Sequence, residues 1–343
     1  MNRRIFVAAS LAVVVALIAS TAVLASSGSK AANGSAGAKT SVSLVSDIGK
    51  FNDRSFNQSQ LEGLKRAKAK LGVNIHALQS NSTSDYIPNL TQAIRTNSNL
   101  IISAGFLLAD DTNTVAQKYP NTHFAITDYS DKDAPFKGRK NVEGLTYAAN
   151  ESGCLVGYLA AEMVKKQGGP QVIGAVGGLK IPPVDIWIAG YRFCAKKYNP
   201  KIKVLIDYSQ DFVQPDKCKT VAQNMISQGA KVLFQVAGGC GLGTLNAAAQ
   251  AHIWGIGVDK DQYKDAKRVL TSGVKRVDNG VYQAVAQVKA GHFKGGTNLL
   301  FNLKNGGMSV GKINPSVPKK FITAMNKIKV KIIKKKLKVP AKL

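Results

Sequence analysis

Acidic residues are scarce in this chain: 20 Asp and Glu stand against 47 Lys and Arg, for a formal net charge of +27. After Asp278 there are none, while fourteen Lys and no Arg follow. One-sign charge of this kind is attracted to anionic envelope surfaces and polymers without specificity. It does not make a nucleic-acid reader, because Lys outweighs Arg, no recognition motif is present and aromatics do not interleave with the basic residues. A solvated basic face is the simpler reading, and no nucleic-acid partner is expected. Histidine is scarce too. His76, His123, His252 and His292 are scattered without HxxxH spacing, and CxxC is absent, which removes the common zinc patterns. No His sits in a motif with Asp or Ser at a strand end, so neither an activated nucleophile nor a metal-assisted centre is legible. No metal or cofactor is expected, and the chain reads as a non-enzyme.

What is present begins with Arg3 and Arg4, followed by an apolar run over 5–24 broken only by Ser10, Ser20 and Thr21. Val23 and Ala25 suit a signal peptidase site, so 1–25 reads as a signal peptide and the chain as exported. A retained anchor is the rival, since ~20 apolar residues just span a bilayer. Ala and Ser dilute the run, and a flexible Ser/Gly/Ala linker follows over 26–39, which favours cleavage. The arginine pair resembles a twin-arginine signal, although two arginines are common in such regions. Cys154, Cys194, Cys218 and Cys240 form an even set in an exported chain and read as two disulfides, with three pairings open.

Beyond the linker, short β-branched runs alternate with amphipathic stretches. Segments 41–46, 74–78, 100–103 and 124–127 read as strands of one lobe; 171–176, 204–207, 231–236 and 254–258 read as strands of another. Helices are expected over 55–71, 85–96, 153–165, 216–228, 244–252 and 280–290. A strand–helix period of about 30 residues means βαβ units and parallel sheets. Two Rossmann-like lobes in an exported chain point to an α/β, type I periplasmic-binding-protein fold with a hinged cleft. Crossings between lobes are expected near 148–150, 276–278 and 296–300. Lobe one then takes 40–149 plus 278–298, and lobe two takes 150–277 plus 299–343. In the tail, Ile322, Met325, Ile328 and Ile332 mark a helical apolar stripe. An amphipathic membrane helix gives the same pattern; packing on lobe two is the favoured reading.

Open α/β sheets bind ligands at the carboxyl ends of their strands. That rule selects Asp47 after the first strand, Asn52 and Asp53 in the loop beyond it, Asp128 after 124–127 and Asp259 after 254–258. Helix capping is the bland reading of any one Asp; three at strand ends favour binding. Phe56 lies in the first turn of the helix at 55–71, about 100° from the stripe of Leu61, Leu64 and Leu71. It reads either as a hydrophobic staple or as a stacking face. Gly238 and Gly239 open a glycine-rich turn between a strand and a helix, but the spacing is not GxGxxG.

Taken together, SFNQ-x-x-x-EGL at 55–64, FAI-x-D at 124–128, GVD-x-DQ at 257–262 and LTS-x-x-K-x-VD at 270–278 resemble the basic membrane protein family, the PnrA-like substrate-binding proteins that feed purine nucleosides to ABC importers. The resemblance covers nearly all of 40–340. It implies a nucleoside held between Phe56 and Phe212, the latter matching the family's Tyr-x-x-x-Phe loop, with Asn57 beside Phe56. It also maps Trp187 onto an aromatic that is more often Phe, and assigns Lys275 to neutralise the carboxylates or donate to the base. Asp259 would accept hydrogen bonds from a ribose diol. An ABC permease is the implied partner. Family members are often lipoproteins, yet Ala25-Ser26-Ser27 offers no lipobox cysteine. The rival readings are a nucleoside-processing enzyme on the same cleft and a basic surface or adhesion protein.

Overall fold

The computed structural model describes residues 39–343; the expected signal peptide at 1–25 and all but the last residue of the expected linker at 26–39 lie outside the described residues. The chain runs β1 (Ser41–Ser46), α1 (Phe56–Leu71), β2 (Asn74–Leu78), α2 (Tyr86–Arg95), β3 (Leu100–Ala104), α3 (Ala109–Lys118), β4 (His123–Thr127) and β5 (Val142–Tyr147). It continues through α4 (Ala149–Gln167), β6 (Val172–Gly177), α5 (Pro182–Tyr198), β7 (Lys203–Tyr208), α6 (Pro215–Ser227), β8 (Val232–Val236), α7 (Gly241–Gln250), β9 (Trp254–Asp259) and β10 (Val269–Lys275). Last come α8 (Val277–Lys289), β11 (Asn298–Phe301), β12 (Met308–Val310) and α9 (Lys319–Ile333).

Two six-stranded sheets result, with orders β11-β5-β4-β3-β1-β2 and β12-β10-β9-β8-β6-β7. Every pairing is parallel except β12 on β10. Helices cover both faces, so inner strands such as β3 (LIISA) and β8 (VLFQV) are buried along their whole length. The edge strands β2 and β7 contain no fully buried residue.

Most of the expected elements appear within a few residues of their expected ends. β5 was not expected, because Glu143 and Gly144 interrupt its apolar run; both are nonetheless buried. α8 packs on α1 beside the first sheet, where Arg66 Nη1 meets Asp278 Oδ2 at 3.0 Å. The chain then stays with that sheet through Phe301, since β11 pairs in parallel with β5. The last crossing therefore follows Phe301, later than the 296–300 expected from sequence, and places all of β11 with the first sheet.

In the second half, α4 and α5 lie so close that a Cβ at Gly157 would strike the Tyr191 backbone, and one at Gly190 that of Asn150. Cys154–Cys194 bridges these two helices, and Cys218–Cys240 ties α6 to the turn ahead of α7. The tail is folded. α9 buries Phe321, Met325, Ile328 and Ile332 and packs on α4, with Ile322 only half-buried. Beyond it, Asn150 Nδ2 donates to the Val339 carbonyl at 2.8 Å. Among the described residues, no helix is long and apolar enough to cross a membrane.

Candidate functional site

Parallel strands deliver their carboxyl ends to one edge of a sheet, and here the two edges face each other. The first sheet contributes Asp47 after β1, Phe106 and Leu107 after β3, and Asp128 after β4. The second contributes Ile181, Pro183, Val184 and Trp187 from the start of α5, Phe212 from the β7–α6 loop, Gly238 after β8, Asp259 ending β9 and Lys275 ending β10. With Asp53, Phe56 and Asn57 from the start of α1, they line a cleft of about 560 Å³ of free space, its mouth included.

The start of α1 is built by Asp53. Its carboxylate accepts from the backbone N–H groups of Ser55 (2.9 Å), Asn57 (2.8 Å) and Gln58 (3.0 Å), satisfying donors a helix end leaves free. This inward turn leaves its neighbour Asn52 exposed and off the cleft lining. Of the two loop residues selected from sequence, Asp53 lines the cleft and Asn52 does not, a correction to the expectation for Asn52. Asn57 Nδ2 donates in turn to Asp47 Oδ1 at 2.7 Å, and the Gly49 N–H meets the same oxygen at 2.8 Å. Burial pushes the Asp47 carboxyl up to about 7 despite these two bonds, with Asp53 and Asp128 adding repulsion. Burial raises Asp53 as well.

Across the cleft, Lys275 Nζ lies 2.6 Å from Asp128 Oδ2 and 3.9 Å from Asp259 Oδ1. The ammonium also sits 4.7 Å from the centre of the Phe56 ring and 5.4 Å from that of Tyr147. Ser55 Oγ donates to Asp259 Oδ2 at 2.8 Å, joining the start of α1 to the far sheet. Burial pushes the Asp259 carboxyl up to about 6, with Lys275 and Ser55 pulling the other way. Asp128 and Asp259 both adopt left-handed backbone, with φ of 63° and 62°. That region is sparsely used by non-glycine residues and collects at functional positions.

Outside the cleft, two exposed ion pairs also join the halves: Arg54 with Asp265, and Lys260 with Glu62. Gly239 does not line the cleft; a Cβ there would lie 3.4 Å from the Phe212 carbonyl and 3.5 Å from Asp53 Cα. It belongs to the seam between the halves, where an added Cβ would make ordinary van der Waals contacts with both. Phe106 and Leu107 were missed, because apolar residues between a buried strand and α3 look like core from sequence.

The arrangement defines a cleft between the two sheets: apolar and aromatic walls with four carboxylates and one ammonium directed inward. Comparison with known proteins agrees. The profile of the family described as "ABC transporter substrate-binding protein PnrA-like" matches residues 39–342, and the chain belongs to that family. It is 36% identical over 322 residues to the ABC transporter nucleoside-binding protein BmpA of Lactococcus lactis subsp. cremoris, covering 88% of this chain and 89% of the other. The CD4+ T-cell-stimulating antigen of Listeria monocytogenes is 33% identical over 326 residues, with 88% of each chain covered. A solute-binding protein of an ABC transporter system from Aeropyrum pernix K1 superposes with a TM-score of 0.79 at 27% identity, covering 88% of this chain and 94% of that one.

Proposed function

We propose that this substrate-binding protein is the extracytoplasmic receptor of an ABC importer, and that its ligand is a purine nucleoside held in the cleft without turnover. One observation carries the reading: aromatic rings from both halves, Phe56 on one side and Phe212 and Trp187 on the other, border the same space as the buried carboxylates of Asp47, Asp128 and Asp259. A flat heterocycle stacks between such rings, each stack contributing about 1–3 kcal/mol. A sugar diol supplies the donors that buried carboxylates need. A nucleoside uses both the aromatic faces and the acids, whereas an aliphatic amino acid would leave the aromatic faces unused and a pentose would use chiefly the acids. The relative from Lactococcus lactis, which carries a nucleoside-binding name, supports the same choice.

The two sheets are the proposed lobes, divided at the crossings after Tyr147, Lys275 and Phe301, with an ABC permease as partner. The Lys-rich tail is the proposed contact with an anionic envelope surface. The ligand is tested by thermal unfolding of the mature protein against purine and pyrimidine nucleosides, free bases, pentoses and amino acids. A ligand at 100 times its Kd stabilises by about 2.7 kcal/mol, a plain shift in melting. A shift with pentoses or amino acids and none with nucleosides overturns the ligand. Release of free base over hours overturns the absence of turnover.

A further inference from the structure

The Cys218–Cys240 bridge stands directly behind the wall of the cleft that carries Phe212. Phe212 lies in a six-residue connection, 209–214, between β7 and α6, whose Ser209 and Gln210 N–H groups meet the Gly177 and Gly178 carbonyls while the stretch from Asp211 onward has left the sheet. Its carbonyl accepts the Cys240 N–H at 3.0 Å. Its ring is pressed on Gly178, where an added Cβ would collide with it. Ser209, at the start of the same connection, places its Oγ 3.3 Å from the Cys218 sulfur and 3.4 Å from that of Cys240. Asp211 closes the far end, accepting the Val213 and Gln214 N–H groups at 2.6 and 2.8 Å. Both half-cystines are fully buried. The bridge thus joins α6, which begins where this connection ends, to the residue whose amide holds Phe212.

We propose that Cys218–Cys240 is a positioning strut for ligand binding: it fixes the Phe212 ring at the cleft, whereas Cys154–Cys194 only joins two packed helices. A side chain on an irregular connection binds well only if its orientation is set beforehand, because ordering it on binding subtracts from affinity. The strut supplies that order through Cys240 N–H and Ser209. Cys154 and Cys194 do not themselves line the cleft; they tie α4 to α5 within the core, in the part of α5 beyond Trp187. The proposal rests on the nucleoside reading for its affinity arm and on the hydrogen bonds alone for its second arm.

The experiment compares wild type with Cys218→Ser/Cys240→Ser and with Cys154→Ser/Cys194→Ser, at a temperature where all are folded. Cys218→Ala/Cys240→Thr replaces the first pair if it does not fold. Titration with adenosine, guanosine and inosine should show affinity weakened by about tenfold for the 218/240 variant, and by no more than about twofold for the 154/194 variant. Phe212→Ala should weaken binding about tenfold in wild type and add almost nothing once the 218–240 bridge is gone, the non-additivity of two groups acting as one. Native hydrogen exchange should lose protection at the amides of positions 240, 213 and 214 in the 218/240 variant only. Equal affinity loss in both bridge variants, or additive costs with Phe212→Ala, overturns the proposal. If wild type binds none of the three nucleosides, the nucleoside reading fails separately. Exchange then decides: unchanged protection at those amides overturns the strut.

Discussion

Lys275 Nζ lies 2.6 Å from Asp128 Oδ2, and the two residues end strands of different sheets. The lysine side chain is 3% exposed and the aspartate 9%, so this is a buried ion pair spanning the cleft. Removing one partner of such a pair strands a charge and typically costs about 3–5 kcal/mol. Lys275→Met and Asp128→Leu should each lower stability by that order in urea unfolding. Together they should cost much less than the sum. Additive losses would mean the two groups act independently.

Phe56→Ala and Asp259→Ala should each weaken purine nucleoside binding by at least about tenfold while leaving secondary structure intact. The lost stack is worth about 1–3 kcal/mol and the lost charged acceptor about 1.5–3 kcal/mol. Calorimetric titration measures both. Unchanged affinity in both variants would move the ligand elsewhere.

Nucleoside affinity should rise between pH 5.5 and 8. Burial holds Asp47 at about 7 and Asp259 at about 6, so both are partly protonated in the empty cleft below neutrality. A ligand that donates hydrogen bonds favours the charged forms and releases protons on binding. Titrations in buffers of different ionisation enthalpy should detect that release, and Asp47→Asn should reduce it. The same shifts act on folding with the opposite sign. Carboxyls with raised folded-state values bind protons more tightly when folded, so their contribution to the empty protein's stability falls as pH rises from about 4 through 7. Urea unfolding of the empty protein at pH 5 and 8 should show this fall diminished in Asp47→Asn.

Replacing Lys334, Lys335, Lys336 and Lys338 by Gln should reduce binding to vesicles containing phosphatidylglycerol and flatten its salt dependence. These lysines follow the end of α9 and are exposed. Nucleoside affinity should stay within about twofold, as is usual for substitutions on a remote surface. A collapse of nucleoside binding with vesicle binding unchanged would place the tail at the ligand site.

Much of the cleft was legible because parallel strands announce their carboxyl ends. Asp47, Asp128 and Asp259 each follow a short β-branched run, and the sheet order brings those ends together. What escaped depended on choices that side-chain hydrogen bonds make. Asn52 and Asp53 are equivalent as loop residues; only the capping of α1 decides that Asp53 faces inward. Phe106 and Leu107 carry no polar mark that separates a cleft wall from a core. β5 hid its strand character behind Glu143, whose burial requires its neighbours from β4 and α8. The disulfide partners were unreadable for a similar reason, since the pairing follows from how α4 meets α5 and α6 meets α7.

On the proposed function, the left-handed backbone at Asp259 puts stability and ligand capture under opposing selection. Glycine reaches that conformation without steric penalty, and at 259 it would also remove a carboxylate that burial disfavours. A library of this chain selected only for surviving heat should therefore enrich glycine at 259, where the acid has no ion-pair partner closer than 3.9 Å, and keep the acid at 128, where one lies at 2.6 Å. The most heat-resistant survivors should be poor at taking up ligand, because under the proposed function the acid at 259 is kept by what it holds rather than by what it stabilises.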